Sequence, residues 1–328
     1  MRPPEHWHLR QRRPSRRWPL LAALGALAIA VVAIGAWRWP SGGGEAQPQL
    51  ASSVLGSGCQ GGANCDQAPA ADFSAGDVIP PRIRGRAAVV IEVSCGELLF
   101  SHNPDLRFAP ASLTKIATAL VAVDHTSLTD TADVQVNSAL MAASTGSTVM
   151  GLEPGMRLSM RDLLYGLLLP SGNDAAVAIA QAVSGSVPAF VQLMNAKVAA
   201  LGMQNTHFTN PHGLDETGLY TSARDIAELG RALLAQPELA AIVRTKRYQP
   251  AWDGAEVWNG NELLGSYPGA AGVKIGYTER AGQTIVAAAE RGGRRIIVSV
   301  LSTWDRYGDA TALLDWAFAS TQRACSIR

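Results

Sequence analysis

An uncharged apolar run over residues 18–37 is the clearest hydrophobic feature of the sequence. At 1.5 Å per residue, a helix of this length spans about 30 Å, which is the thickness of the hydrocarbon core of a bilayer. Six arginines and one glutamate precede the run within residues 1–17, so this basic tail is expected to stay on the cytoplasmic side. The pattern predicts a transmembrane signal-anchor over residues 18–37, and a cleaved signal peptide is the alternative.

Residues 38–78 form a segment that is rich in Gly, Pro, Ala, Ser and Gln. Such a composition offers few apolar side chains for a core, so the segment is expected to be a flexible linker. The periodic apolar patterns begin after it. Residues 79–328 are therefore expected to fold as a single domain.

Within this domain, strands are expected at both ends and helices between them. A first hairpin is predicted over residues 87–94 and 97–101, turning at Cys95 and Gly96, and further strands over 273–277, 283–289 and 295–302. Helical spacing of apolar residues predicts the segments 112–124, 160–168, 173–183, 187–201, 222–235, 237–243 and 307–320. The helix over 112–124 is almost wholly apolar and should be buried all round. The order predicts an α+β fold, in which an antiparallel sheet built from both termini is flanked by helices and carries a helical insert.

The cysteines Cys59, Cys65, Cys95 and Cys325 belong to the part of the chain that is expected to be exported, where disulfides persist. Three pairings are possible, and one of them joins Cys59 to Cys65 and Cys95 to Cys325. The spacing fits no common zinc motif, and the histidines show no His-Glu-x-x-His pattern. No metal is therefore expected. The histidines of the domain are interpreted as loop or surface residues: His102, His125, His207 and His212.

Charge is distributed unevenly both along the chain and between residue types. The net charge of +1 combines the basic tail with a slightly acidic remainder, so no nucleic-acid partner is expected. Only four of the 28 Lys and Arg residues are lysines: Lys115, Lys197, Lys246 and Lys274. Arginine stays protonated in proteins, whereas a desolvated lysine can lose its proton and act as a base. The lysines of so arginine-rich a chain are therefore candidates for acid–base chemistry.

Ser112 and Lys115 open the apolar helix with a Ser-x-x-Lys motif. Side chains three residues apart lie on the same helical face, so the two groups can interact. The helix N-terminus surrounds Ser112 with free backbone N–H groups that favour developing negative charge. Apolar neighbours and a second cation, Lys274, are expected to disfavour the charged form of Lys115. The pair is a candidate nucleophile and base.

Two further motifs follow along the chain. Ser-Gly-Asn stands at residues 171–173, and Lys-Ile-Gly stands at 274–276. Ser-x-x-Lys, Ser-x-Asn and Lys-x-Gly in this order form the motif set of penicillin-binding proteins and serine β-lactamases. Segments 110–115, 169–175, 205–215 and 261–282 are similar to one branch, the serine D-alanyl-D-alanine carboxypeptidases or low-molecular-mass penicillin-binding proteins. The resemblance covers about residues 79–320 and implies the fold of β-lactamases and DD-peptidases.

The resemblance also implies a role for each residue of the first two motifs. Ser112 is the expected nucleophile, and Lys115 is its expected base. Ser171 is expected to relay a proton toward the leaving amine, while Asn173 is expected to hold Lys115 and the substrate amide. Taken singly, each residue also has an ordinary structural interpretation, such as a helix cap for Ser171.

The third motif is expected to bind the substrate. The backbone N–H groups of Ser112 and Tyr277 are expected to form the oxyanion hole. Gly276 is expected to let the substrate backbone approach the strand that contains Lys274.

One departure from the family pattern concerns this third motif. The usual Lys-Thr-Gly reads Lys-Ile-Gly here, and the threonine hydroxyl that is expected to help bind the terminal carboxylate is missing at Ile275. Our hypothesis is that Lys274, with Thr278 or Arg306, takes over the binding of this carboxylate.

Together these expectations describe a membrane-anchored serine DD-carboxypeptidase that acts on peptidoglycan stem peptides outside the bacterial cytoplasm. β-Lactam antibiotics are expected to acylate the same serine, and no organic cofactor is expected. A DD-endopeptidase acting on peptidoglycan cross-links is one alternative. A non-catalytic peptidoglycan- or penicillin-binding protein is another, because of Ile275. A β-lactamase is disfavoured, since no Glu-x-x-Leu-Asn segment lies between the second and third motifs.

Overall fold

Strands from both ends of the described chain share one antiparallel sheet in the computed structural model, which describes residues 79–252 and 254–320. The strands are β1 (Ala87–Glu92), β2 (Glu97–His102), β3 (Thr131–Asp133), β4 (Arg157–Ser159), β5 (Arg247–Tyr248), β6 (Val257–Trp258), β7 (Ala270–Thr278), β8 (Gly282–Arg291) and β9 (Arg294–Thr303). The α-helices are α1 (Thr114–His125), α2 (Ser138–Thr145), α3 (Met160–Leu168), α4 (Asn173–Ser184), α5 (Val187–Ala200), α6 (Ala223–Leu234), α7 (Pro237–Arg244), α8 (Leu263–Ser266) and α9 (Arg306–Ala319).

The main sheet has the strand order β2-β1-β9-β8-β7. Because β1 pairs with β9, with Val89 opposite Ser299, the N-terminal hairpin is joined to the three C-terminal strands. Strand β7 lies at the edge of the sheet and pairs with β8, where Gly276 is opposite Thr284. This is the α+β arrangement that the sequence predicts, with the helices α1 to α8 inserted between the two sets of strands of the main sheet.

Apolar side chains cover both faces of this sheet. Along β1, Val89 packs into the core that contains residues of α1 and α6, whereas Val90 packs into a second core that contains residues of α9. All residues of β1 are buried. Successive side chains of a strand point to opposite faces, so a strand that is covered on both faces has no polar face, and β1 is apolar in all its residues before Glu92.

Helix α1 lies within the helical region and packs against α3, α4, α5 and α6. Its residues from Thr114 to Ala122 are all buried, as its apolar sequence predicts. A helix that is packed on every side is a rigid support for the motif at its N-terminus.

The predicted elements agree with the observed ones to within about three residues at each end. The largest difference is in β7, which begins at Ala270 rather than at residue 273. The short elements α2 and α8 and the two-stranded sheets β3–β4 and β5–β6 were not predicted. Strands of two or three residues and a four-residue helix contain too few periodic positions for a pattern to be recognised.

Several expectations fall outside the described residues. The predicted basic tail, signal-anchor and linker lie in residues 1–78. Cys95 is disulfide-bonded, and the other cysteines lie outside the described range. Among the described residues, no single helix is long and apolar enough to cross a membrane. Helices α4 and α5 meet that test only together, as a pair bent by 87°.

Candidate active site

A cleft of about 710 Å³ lies along the edge strand β7, between this strand and the loops that precede α1, α4 and α6. The sequence-predicted site residues in its lining are Ser112, Ser171, Asn173, Gly276, Tyr277, Thr278 and Arg306. Lys115 and Lys274 are buried behind this lining, with 0 % and 2 % of their surface exposed. The fold therefore brings together three motifs that are far apart in the sequence.

Ser112 lies in a short 3₁₀ turn, Ala111–Leu113, which leads into α1. The preceding Ala111 has a φ of +50°, a left-handed conformation that costs a residue with a Cβ about 1–3 kcal/mol. The loop at Gly213 packs directly on the Ala111 carbonyl, and a Cβ at this glycine would overlap the carbonyl oxygen. This close packing holds the strained turn, and with it Ser112, in one position.

Three oxygen atoms surround the amine of Lys115. Its Nζ donates to Asn173 Oδ1 at 2.6 Å and to the His212 carbonyl at 2.8 Å, and it lies 3.0 Å from Ser112 Oγ. A neutral amine has two N–H donors and one lone pair. When the donors bind Asn173 and His212, the lone pair faces the Ser112 hydroxyl and can accept its proton.

Burial lowers the pKa of Lys115 well below its usual value, because the charged form loses its hydration. The positive charge of Lys274 lowers this pKa further, whereas the negative charge of Asp174 raises it. The neutral amine is the form that a general base needs, so the environment favours the required protonation state.

Ser171 precedes α4 in a left-handed conformation, with a φ of +71°. Its Oγ is buried and has no hydrogen-bond partner within the described part of the chain. An unsatisfied buried hydroxyl costs about 1–3 kcal/mol. Because Ser171 lines the cleft, a bound substrate can supply the missing partner.

Strand β7 approaches the Ser112 turn closely at Gly276. A Cβ at this position would lie 2.9 Å from the Ser112 nitrogen and 3.1 Å from the Ala111 Cβ, so only glycine fits without a shift of the backbone. The Gly276 carbonyl accepts a hydrogen bond from Arg306 Nη1 at 2.9 Å, and Arg306 Nε donates to Gln283 Oε1 at 3.1 Å. Arg306 thus supports the end of β7 and also lines the cleft.

The other side chains of this strand differ in how available they are to a ligand. Lys274 Nζ donates to the Ile275 carbonyl at 3.2 Å, and burial together with the charge of Arg306 lowers its pKa to about 7. Thr278 Oγ1 donates to Asp215 Oδ1 at 2.8 Å, so this hydroxyl already has an acceptor within the protein.

Tyr277 and Ile275 contribute differently from these polar groups. The Tyr277 side chain is 55 % exposed, and its hydroxyl donates to Glu279 Oε1 at 3.0 Å. The role predicted for Tyr277 belongs to its backbone N–H and does not need this side chain. Ile275 is half-buried and places an apolar group in the lining of the cleft.

His212 is a cleft residue that the sequence analysis missed, because a histidine in a loop is usually structural. The residue does lie in a loop, but it lines the cleft and its carbonyl binds Lys115. Its Nδ1 accepts a hydrogen bond from the Leu214 N–H at 3.2 Å, which places the proton of the neutral ring on Nε2. Burial, followed by the charge of Lys115, lowers its pKa to about 4, so the ring is uncharged at neutral pH.

The chemistry of these groups is that of acyl transfer. A hydroxyl, an amine with a lowered pKa, a second hydroxyl without a partner and an amide converge on one cleft, and two cationic side chains lie at its edge strand. Within residues 79–252 and 254–320, no three His, Cys, Asp or Glu side chains are grouped so that they could hold a metal ion.

Comparison with known proteins gives several close relatives. The D-alanyl-D-alanine carboxypeptidase family, peptidase S11, matches residues 75–304, more than half of the chain. The D-alanyl-D-alanine carboxypeptidase DacF of Bacillus subtilis is 38% identical over 243 residues, which cover 71% of this chain and 62% of the relative. For the D-alanyl-D-alanine carboxypeptidase DacA of Escherichia coli, the identity is 37% over 265 residues, 76% of this chain and 65% of the relative. The chain therefore spans less than two thirds of the length of both relatives.

Solved structures share the fold. The crystal structure of the Streptomyces K15 DD-transpeptidase superposes with a TM-score of 0.70 at 31% identity, covering 74% of this chain and 100% of that chain. The structure of a D-alanyl-D-alanine carboxypeptidase from Mycobacterium tuberculosis superposes with a TM-score of 0.68 at 36% identity, covering 75% of this chain and 95% of that chain. The domain thus has the α+β fold of the DD-peptidases, and the chain belongs to the D-alanyl-D-alanine carboxypeptidase family, peptidase S11.

Proposed function

We propose that this protein is a serine DD-carboxypeptidase, which removes the terminal D-alanine from peptidoglycan stem peptides through an acyl-enzyme on Ser112. The observation that carries the proposal is the 3.0 Å contact between Ser112 Oγ and the fully buried amine of Lys115. A lysine whose charged form is disfavoured by burial can activate a hydroxyl that is otherwise a weak nucleophile. Membership of the carboxypeptidase family supports the same reaction.

In the acylation step, Ser112 Oγ attacks the carbonyl carbon of the penultimate D-alanine while Lys115 Nζ accepts the hydroxyl proton. The negative charge that develops on the carbonyl oxygen is stabilised by the backbone N–H groups of Ser112 and Tyr277. Ser171 passes a proton to the nitrogen of the terminal D-alanine, and the C–N bond breaks. Water then attacks the resulting ester, which releases the shortened peptide and regenerates Ser112.

We assign Lys274 and Arg306 to the terminal carboxylate of the substrate. Arg306 is cationic and lines the cleft at the carbonyl of Gly276, and Lys274 is cationic below its pKa of about 7. Thr278 is less suited to this role because its hydroxyl already donates a hydrogen bond to Asp215. An Arg306→Ala variant with an unchanged KM for a D-Ala-D-Ala peptide would show that Arg306 is not the anchor.

The proposal extends to inhibitors and to location. β-Lactam antibiotics are expected to acylate Ser112, because their strained amide presents a carbonyl carbon to the same nucleophile. The apolar run over residues 18–37, with arginines before it, supports a single-pass anchor in the bacterial cell membrane and a catalytic domain outside the cytoplasm.

Two alternatives use the same cleft. A DD-endopeptidase needs the same nucleophile and base but accepts a cross-linked peptide. A non-catalytic binding protein is suggested by Ile275, but it gives no reason for Ser112, Lys115 and Asn173 to form one hydrogen-bonded set.

The test is D-alanine release from an acyl-Lys-D-Ala-D-Ala peptide by the full-length protein in detergent, beside a Ser112→Ala control. We expect release by the wild type and none by the control. A folded wild-type protein that releases no D-alanine contradicts the carboxypeptidase assignment, and a cross-linked muropeptide then distinguishes an endopeptidase from a binding protein. An added amine acceptor tests whether the acyl group on Ser112 is transferred to an amine, as the name DD-transpeptidase of the Streptomyces relative implies for that protein.

A further inference from the structure

Asp174 is a buried carboxylate that the proposed mechanism does not use. It follows Asn173 in the first turn of α4 and has no exposed surface. Its oxygens accept hydrogen bonds from several groups: the N–H of Met150 at 2.9 Å, Gly151 at 3.0 Å, Leu152 at 3.2 Å and Ala175 at 2.9 Å, and the hydroxyl of Ser138. A carboxylate with this many donors is fixed in its position, and it fixes the donors in turn.

All of these donors except Ala175 belong to the segment 138–152, which forms one wall of the cleft. Ser138 lies at the start of the segment, and the other three donors lie at its end. Ser138 is the first residue of α2, and the cleft lining includes the segment 145–148 that ends this helix and follows it. The Thr148 carbonyl accepts the backbone N–H of Asn173 at 2.9 Å, and the Ser138 N–H donates to the Leu152 carbonyl at 3.0 Å. Both ends of the wall are therefore attached to Asp174 or to its neighbour.

The same turn of α4 also holds the amine of Lys115. Asn173 Oδ1 accepts from Lys115 Nζ at 2.6 Å. A shift of the turn would therefore move the cleft wall and the amide that orients the base at the same time.

We propose that Asp174 is a positioning residue for acylation: its carboxylate locks the wall 138–152 to the start of α4 and so keeps Asn173 and Lys115 aligned with Ser112. Asp174 is absent from the cleft lining and makes no contact with the expected position of the substrate, so it acts through these neighbours. The inference rests on the proposed function, because it concerns the acylation of the same serine.

The charge of Asp174 gives this role a signature that a purely structural residue lacks. The charged groups that act on Lys115 are Lys274, which lowers its pKa, and Asp174, which raises it; His212 also faces the amine but is neutral at neutral pH. Removing the negative charge should therefore lower the pKa of Lys115 further. Since the base must be neutral, the acidic limb of the pH profile of the acylation rate should move to lower pH.

Asp174→Asn is the test variant, and Asp162→Asn is its matched control. Asp162 is also a buried carboxylate in the first turn of a helix, α3, and it accepts from Ser159 Oγ, Tyr248 Oη and the Ala251 N–H, but it does not line the cleft. The full-length proteins are compared by the second-order rate of Ser112 acylation by a chromogenic β-lactam as a function of pH. Hydrogen exchange of the amides at residues 150–152 is measured in parallel.

We expect Asp174→Asn to slow acylation by roughly 10- to 100-fold, in line with the effect of misplaced catalytic groups. Its acidic limb should move to lower pH, and the amides 150–152 should exchange faster. Asp162→Asn should leave the limb and these amides unchanged. The proposal is overturned if Asp174→Asn keeps the wild-type rate and limb, or if both variants change alike.

A second variant applies where Asp174→Asn does not fold. Ser138→Ala removes one donor and keeps the negative charge, so the acylation rate should fall by a few fold while the acidic limb stays in place. An unchanged rate with unchanged exchange at 150–152 overturns the proposal. Failure of the wild type to be acylated at Ser112 contradicts the proposed function itself, whereas the hydrogen-exchange comparison still tests the attachment of the wall to Asp174.

Discussion

At the scale of the residue, two buried lysines differ in the partners that surround them. Lys115 has three oxygen atoms around its amine, whereas the hydrogen bond of Lys274 is to the carbonyl of Ile275. Burial disfavours the charged form of both. Lys115 is expected to work in the neutral form and Lys274 in the charged form, so the two residues set opposite limits on the pH range of activity.

The pKa of about 7 for Lys274 leads to a prediction for the alkaline side of the pH profile of kcat/KM. Its ammonium group is present below this pKa and is lost as the pH rises through it, so kcat/KM for a D-Ala-D-Ala peptide should decline above about pH 7. In Lys274→Arg, which stays charged, the limb should move to higher pH even if the rate at pH 7 is lower. Steady-state kinetics across the pH range test this. A limb that stays at the same pH in the variant would belong to another group.

Ile275 allows the effect of one hydroxyl to be measured. Ile275→Thr introduces a donor in the cleft lining, whereas Ile275→Val gives the same shape without the donor. Since a hydrogen bond to a charged group contributes about 1.5–3 kcal/mol, Thr should lower KM for a D-Ala-D-Ala peptide by roughly tenfold or more relative to Val. Equal KM values in the two variants would mean that the carboxylate does not reach this position.

At the scale of the element, the site depends on how closely β7 approaches the turn before α1. Arg306 at the start of α9 supports the strand through the Gly276 carbonyl and Gln283. On the other side, the Thr278 hydroxyl and the Arg280 N–H both donate to Asp215, which joins the end of β7 to the loop after Asn210. Support from both sides keeps an edge strand, which has a free side, in a fixed position beside Ser112.

Gly276→Ala tests this close approach. The added Cβ would meet Thr284 Oγ1 at 2.6 Å and the Ser112 nitrogen at 2.9 Å, so the strand and the turn must separate. Acylation of Ser112 should become roughly 100-fold slower, because small displacements of reacting groups have effects of this size. Gly265→Ala in α8 is the control, since its Cβ meets nothing within 4 Å. Similar acylation rates for the two variants would contradict the geometry.

At the scale of the whole molecule, the fold depends on joining the two ends of the described chain. Strand β1 pairs with β9, and the segment before β1 is attached to the last helix through Asp309. This carboxylate is 1 % exposed and accepts from the N–H groups of Arg84 and Gly85 and from Thr303 Oγ1. Three of the five strands of the main sheet come from the C-terminal part of the described chain, so such contacts between distant residues stabilise the complete domain.

Asp309→Ala should therefore lower the free energy of unfolding by about 3 kcal/mol, because buried donors lose their acceptor. For a domain of this size that corresponds to a decrease in Tm of roughly 6–12 °C. Asp133→Ala removes an exposed ion pair with Arg157, separated by 3.7 Å, and should change Tm by less than about 2 °C. Thermal unfolding of both variants tests the difference. Equal Tm values would show that the Asp309 contacts do not stabilise the domain.

The sequence by itself determined the elements with strong periodicity and the residues with distinctive chemistry. The apolar helix after Ser112, the C-terminal strands and the α+β order follow from local patterns, because burial of a helix or strand is encoded in its own residues. The three motifs pointed to residues of the cleft, and the spacing of Ser112 and Lys115 predicted that their side chains lie close together.

Only the tertiary structure decided what surrounds these groups. The contact between Lys115 and Asn173, across 58 positions, was implied by the family resemblance and not by a local pattern, and the contact with the His212 carbonyl, across 97 positions, was not predicted, since no local pattern specifies it. For the same reason the sequence did not reveal that the Thr278 hydroxyl is bound by Asp215, that His212 lines the cleft, or that Asp174 holds its wall. Burial and the distances to other charges set the pKa of a lysine, and both quantities exist only once the chain has folded.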